Sequence, residues 1–125
     1  MHPPGVMISI VPVLPSEDIK RDLAWYETGM GFKSVYADEM YAVLCRDGIC
    51  LHLQWHACTD DDPLLGGSVI RILVPDILPF HDEFVARGTV TSGKLRLNTP
   101  WQTHEFGFYD LNKNAIFIVQ DLLTV

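Results

Sequence analysis

The feature that most limits how this chain can fold is an order of local signals, strand, capped helix and further strands, that runs through twice in 125 residues. The first pass opens with a Val- and Ile-rich stretch over residues 7–14, punctuated by Pro12 and Pro15, which reads as an edge-tolerant strand. Ser16 is placed to cap a helix, with Glu17 and Asp18 complementing its positive end. Ile19, Leu23, Tyr26 and Met30 recur at helical spacing, and Gly29 and Gly31 stop the run. Strand-like segments follow at residues 32–36, 41–46 and 49–56. The dipeptide Asp47-Gly48 between the last two favours a two-residue hairpin turn.

Residues 59–67, with three consecutive aspartates and the pair Gly66-Gly67, read as a polar linker. The order then begins again. Residues 68–74 form a strand, Asp76 caps a helix carrying Ile77, Phe80 and Phe84 on one face, and Gly88 ends it. Further strand-like segments lie at residues 89–91, 95–97, 104–109 and 115–120, the last two joined by a turn over residues 110–114. Asp18 to Asp76 is a shift of 58 positions and Gly31 to Gly88 a shift of 57, so the caps and stops keep step. An internal duplication accounts for this. The expected fold is α+β, one domain over residues 1–125. It is built from two βαβββ modules, paired ferredoxin-like halves spanning about 7–58 and 68–121. Each half has a helix and a short sheet with one face uncovered, so the two sheets should curl around a cleft.

A chain 48% hydrophobic and 20% charged folds into a core. Its apolar runs fall short of the roughly 20 residues that cross a bilayer. Residues 1–5 show no basic region ahead of a long apolar stretch, so a cytoplasmic location is expected. Nine basic against sixteen acidic residues give a net charge of −7, which argues against a nucleic-acid partner and favours a cationic small-molecule ligand. Cys45, Cys50 and Cys58 are odd in number and form no CxxC pair, so reduced thiols are expected. No GxSxG, P-loop or GxGxxG motif occurs, and Asp60, Asp61 and Asp62 lack the spaced oxygens of a calcium loop.

Alternation over residues 49–56 sets Ile49, Leu51, Leu53 and Trp55 against a helix and turns Cys50, His52, Gln54 and His56 to the cleft. In the other half, Val69 and Arg71 share the cleft side while Ile70 and Ile72 pack. Arg71 there either pairs with an acid or hydrogen-bonds a ligand. His52 and His56 lie roughly 13 Å apart along a strand, too far for one ion. Cys50 and His52, about 7 Å apart, could chelate together, but the sequence places no third ligand.

Pro12-Val13-Leu14, Ser16-Glu17-Asp18-Ile19 and Trp25-Tyr26 resemble the opening strand and helix of a known group. So do Gly29-Met30-Gly31-Phe32, the hairpin Arg46-Asp47-Gly48-Ile49 with Leu51-His52-Leu53, and Val74-Pro75-Asp76-Ile77. Pro100-Trp101, His104-Glu105-Phe106 and Asp110-Leu111-Asn112-Lys113-Asn114 are similar to that group's terminal pattern, with one residue inserted after Trp101 and Lys113 in place of a glycine. The group is the glyoxalase, bleomycin-resistance and extradiol-dioxygenase superfamily, and the last motifs resemble its bleomycin-resistance branch.

The resemblance implies metal-ligand positions at Val11, His52, Val69 and Phe117. Three of these lack a donor of the required kind, and a catalytic site generally needs three protein ligands, so no metal or other cofactor is expected. What it implies instead is a homodimer that sequesters a bleomycin-type or other aromatic or cationic antibiotic in a cleft between subunits, stacking flat groups on aromatic side chains. The residues proposed to bind are Trp101, His52, Gln54, Arg71, Phe117, Cys50, Tyr41 and Phe106. Tyr36 and Trp55 are further aromatic candidates for which core packing is the competing role. The alternative function is a glyoxalase- or dioxygenase-like enzyme with an atypical metal site.

Overall fold

The computed structural model describes residues 2–123. Its elements run β1 (Val13–Ser16), α1 (Ile19–Met30), β2 (Lys33–Ala37), β3 (Tyr41–Arg46), β4 (Ile49–Trp55), β5 (Val69–Leu73), α2 (Ile77–Ala86), a 3-10 turn (Ser92–Lys94), β6 (Thr103–Tyr109) and β7 (Ala115–Asp121). Two mixed sheets result, with strand orders β1-β4-β3-β2 and β5-β7-β6. In each, the strand before the helix lies parallel to the last strand of its half, β1 beside β4 and β5 beside β7. The duplication is therefore visible as topology.

Local chemistry explains the helix ends. The Asp18 carboxylate accepts the Arg21 amide and the Asp76 carboxylate accepts the Leu78 amide, both from extended backbone. Gly31 takes the left-handed conformation that closes α1 (φ 70), whereas Gly29 lies buried inside the helix. Ser16 is not the cap: it ends β1, and its hydroxyl donates to Asp22. Asp47 and Gly48 both have positive φ, 52 and 79, as a type I′ hairpin requires.

Two expected strand regions differ. Residues 7–12 are not strand, and Met7, Ile8 and Ile10 are exposed; pairing with β4 reaches back only to Pro12, whose carbonyl accepts from the His52 amide. Residues 89–91 are not strand, with bends at 89 and 90, and the segment at 95–97 is reduced to one bridge between Arg96 and Glu105. The second half is thus βαββ with a vestigial fourth strand.

Both helices pack into one core with Leu14, Tyr26, Leu44, Leu53, Phe84, Phe106, Ile116 and Ile118. Their C-terminal ends are tied together: Thr89 donates its hydroxyl to Gly29 O, and Arg87 donates to Glu27 O and Thr28 O. Arg46 completes the join with paired bonds of 2.7 Å to Glu83. The opposite faces of the two sheets stay open.

Candidate functional site

The open face of the second sheet is set by register. On β7 the alternation turns Ala115 and Phe117 to that face and sends Ile116 and Ile118 to the core. Arg71 and Gly107 flank Phe117 on the neighbouring strands. The phenyl ring lies against Gly107, where an added Cβ would come within 2.6 Å of it, and the Arg71 guanidinium sits 5.5 Å from the ring centroid. Here the face opens into a cavity of about 680 Å³, walled by residues 88–91, Lys94, Arg96 and Tyr109.

Bridged to Arg96 of the cavity wall is Glu105, buried to 1% exposure and missed by sequence reading because the strand register after the inserted residue was unfixed. The structure fixes it: Gln102 absorbs the insertion in a left-handed conformation (φ 65), and Thr103 and Glu105 then face the same way. The Glu105 carboxylate accepts from Arg71 at 2.9 Å, Trp101 Nε1 at 2.7 Å and the Thr103 hydroxyl at 2.6 Å. Burial alone would raise its pKa. The three donors, Arg71 foremost, outweigh burial and hold the carboxyl down to about 2. Arg96 lies over the Trp101 indole with its guanidinium carbon 4.9 Å from the centroid.

The structure therefore joins Arg71 and Trp101 through Glu105, and Arg71 in turn lies over Phe117. Arg71 pairs with an acid, one of the two roles open to it. Cys50 meets Arg71 only at the boundary of the sheets, in a separate cavity of about 330 Å³ with Ile10, Phe32 and Leu73. His52, Gln54 and Tyr41 belong to the first sheet. The Tyr41 hydroxyl and His52 Nδ1 are 2.6 Å apart, and Gln54 is exposed beside Pro15 and Tyr41.

Two assignments need correction. Phe106 is fully buried on the helix side of β6, in contact with Phe84, Phe108 and His81, so it has no surface to offer a ligand. Cys50 is not a free thiol but is joined to Cys45, its cross-strand neighbour, with a Cα–Cα distance of 4.1 Å. Only Cys58 is free. Tyr36 and Trp55 are also occupied: Tyr36 donates to Asp38, and Trp55 Nε1 to Glu17 O at the edge of the core.

Among the described residues no three His, Cys, Asp or Glu side chains are grouped to hold a metal ion. Register places Val13, not Val11, beside His52, and Arg71, not Val69, beside Phe117. Two hydrocarbon side chains, a guanidinium and one imidazole do not fit a divalent ion, and no step through a metal is derived.

The βαβββ-derived halves, parallel outer strands and open sheet faces are those of the glyoxalase/bleomycin resistance/dioxygenase fold. A protein of that description from Nocardioides has a TM-score of 0.74 at 15% identity, covering 98% of this chain and 89% of the other. Within that fold the chain is most usefully compared with bleomycin resistance proteins. The one from Staphylococcus aureus is 24% identical over 130 residues, covering 93% of this chain and 98% of the relative, and the same holds for that of Geobacillus stearothermophilus. A bleomycin-binding protein in complex with bleomycin superposes with a TM-score of 0.74 at 23% identity, covering 92% of this chain and 99% of the other. No protein-family model matches the chain.

Proposed function

We propose that this chain sequesters a bleomycin-type antibiotic, holding a flat heteroaromatic group over Phe117 on the open face of the second sheet, with no metal of its own. The observation that carries the reading is the Phe117 ring lodged against Gly107 in a cavity of about 680 Å³, beside an Arg96 stacked on Trp101. Stacking adds roughly 0.5–1.5 kcal/mol per aromatic pair beyond area burial, so a few rings give useful affinity. Full-length similarity to bleomycin resistance proteins supports the same ligand class. The reading includes a homodimer, because both sheet faces are open and the apolar residues Met7, Ile8 and Ile10 are uncovered. The partner's first sheet, carrying Tyr41, His52 and Gln54, would close the cleft.

No described helix is long and apolar enough to cross a membrane. The reading places the protein in the cytoplasm, where the Cys45–Cys50 bridge would exchange with the thiol pool.

Titration with bleomycin, followed by tryptophan fluorescence, tests the proposal. Binding tighter than millimolar is expected, with loss of about tenfold or more in Trp101→Ala and Phe117→Ala. Failure to bind below millimolar, about −4 kcal/mol, rejects this ligand class. Light scattering during gel filtration reads the dimer, and a monomeric mass at micromolar concentration rejects that part.

A further inference from the structure

We infer that the cavity of the second sheet selects a planar aromatic anion, an arene carboxylate or sulfonate, which Lys94 and Arg96 hold beside the Phe117 ring. The inference rests on the reading of this cavity as a ligand site and reverses the charge expected from the net −7 of the chain.

Of the nine basic residues, Arg21, Arg46, Arg71 and Arg87 are in ion pairs. Lys94 and Arg96 are among the rest: in the described residues neither has a carboxylate within ion-pair distance or a side-chain hydrogen bond, and both line the same cavity.

No acid in the cavity offsets them. Glu105 lies on the same face outside the lining, and its charge is already matched by Arg71, with Thr103 and Trp101 donating to the same carboxylate oxygen. Asp121 lies at the far end of β7, paired with Thr103 and not among the lining residues. The cavity therefore carries two positive charges in excess.

Geometry sets the shape of the guest. The Arg96 guanidinium lies over the Trp101 indole and makes no side-chain hydrogen bond among the described residues, and a guanidinium fork matches two oxygens of a carboxylate or sulfonate. Phe117 and Tyr109 supply aromatic surface in the same cavity. An anionic head on a flat ring satisfies both features. A cation on the ring itself would meet like charge, so a cationic group elsewhere on a larger guest would have to lie outside this cavity.

Three isosteric probes test this by calorimetry: naphthalene-2-sulfonate, neutral naphthalene-2-methanol and cationic 2-naphthylmethylammonium. The sulfonate should bind about tenfold tighter than the ammonium, a gain of the size that charge-assisted hydrogen bonds supply. The double variant Lys94→Ala/Arg96→Ala should lose that preference, and Lys20→Ala/Lys113→Ala, which removes two unpaired lysines outside the cavity, should keep it. The inference is overturned if the ammonium binds as tightly as the sulfonate, or if the preference survives the Lys94/Arg96 change. A parallel bleomycin titration separates the two readings. Bleomycin binding without sulfonate preference removes the anion inference alone. Sulfonate preference without bleomycin binding removes the antibiotic and keeps the cavity. Absence of all binding removes both.

Discussion

Phe117 stands opposite Gly107 across the β6–β7 ladder, and its ring fills the volume a side chain at residue 107 would need. A Cβ there would lie 2.6 Å from two ring carbons, closer than real contacts allow. Gly107→Ala must therefore displace the ring that lines the cavity. We expect a stability loss of about 1–3 kcal/mol, typical of overpacking, and about tenfold weaker bleomycin binding. Phe117→Ala in the same chain should recover most of the stability, since the clash is between these two residues. Urea denaturation of the two single variants and the double variant measures the coupling, and additive losses would refute it.

The Glu105 carboxyl, held to about 2 in the fold, has an ordinary value of 4.5. A group depressed on folding contributes stability that is fully present above its unfolded pKa and is lost as pH falls through the folded one. Glu105→Gln keeps the shape and removes the charge. Wild type should therefore exceed the variant by on the order of 1–2 kcal/mol above pH about 5, a figure discounted because Arg71 is 40% exposed. The gap should close between pH about 4.5 and 2. Denaturant midpoints at several pH values read it, and a gap that does not change with pH would mean Arg71 does not set the carboxyl.

The parts of the fold legible in the sequence are those fixed by local chemistry. Asp76 caps where extended backbone meets an apolar helix, Asp47-Gly48 supplies two positive φ angles, and β4 alternates by strand geometry alone, whereas the first cap falls on Asp18 and not on the expected Ser16. Residues 7–11 have strand composition, but ahead of β1 only Pro12 reaches a strand, its carbonyl accepting from the His52 amide, and composition cannot supply a ladder. The face of β6 was equally undetermined, since Gln102 shifts the alternation by one and exchanges the roles of Glu105 and Phe106. The Cys45–Cys50 bridge did have a signal. A two-residue turn at 47–48 pairs residue 46 with 49 and hence 45 with 50.

That bridge closes a short hairpin already shaped by its turn, so its contribution is bounded. Loop-closure entropy for so few residues gives at most about 2 kcal/mol. Cys45→Ser/Cys50→Ser should lower stability by no more than that and leave bleomycin affinity within a few-fold, because the pair lies outside the Phe117 cavity. Differential alkylation before and after reduction, read by intact mass, should show one free thiol, Cys58, becoming three. Three free thiols without reductant would show that the pair is not formed.

The turn after β6 resembles a binding signature but is built as a joint between the two halves. Asp110, nearly buried, accepts from the Tyr26 hydroxyl at 2.6 Å, from the amides of Asn112 and Asn114, and from Asn114 Nδ2. Burial, then the nearby Asp110 charge, pushes the Tyr26 phenol well above its ordinary value, so it stays a donor. Asn112 reaches Asp22 and accepts from Arg21 and the Glu17 amide, while Asn114 donates to Pro15 O. Lys113 adopts the left-handed conformation that this turn requires (φ 64), at a position where glycine is cheaper. Asp110→Ala leaves several buried donors without an acceptor and should cost about 3 kcal/mol or more, whereas Tyr26→Phe removes one hydroxyl and should cost about 1 kcal/mol. Because these bonds cross from the second half to β1 and α1, the wild type should melt as one unit, and the Asp110 variant should melt at a lower temperature with its halves less tightly coupled. Calorimetry reads both: a wild type that already melts in two transitions, or an Asp110 variant that melts at the wild-type temperature, would mean that the joint lies elsewhere.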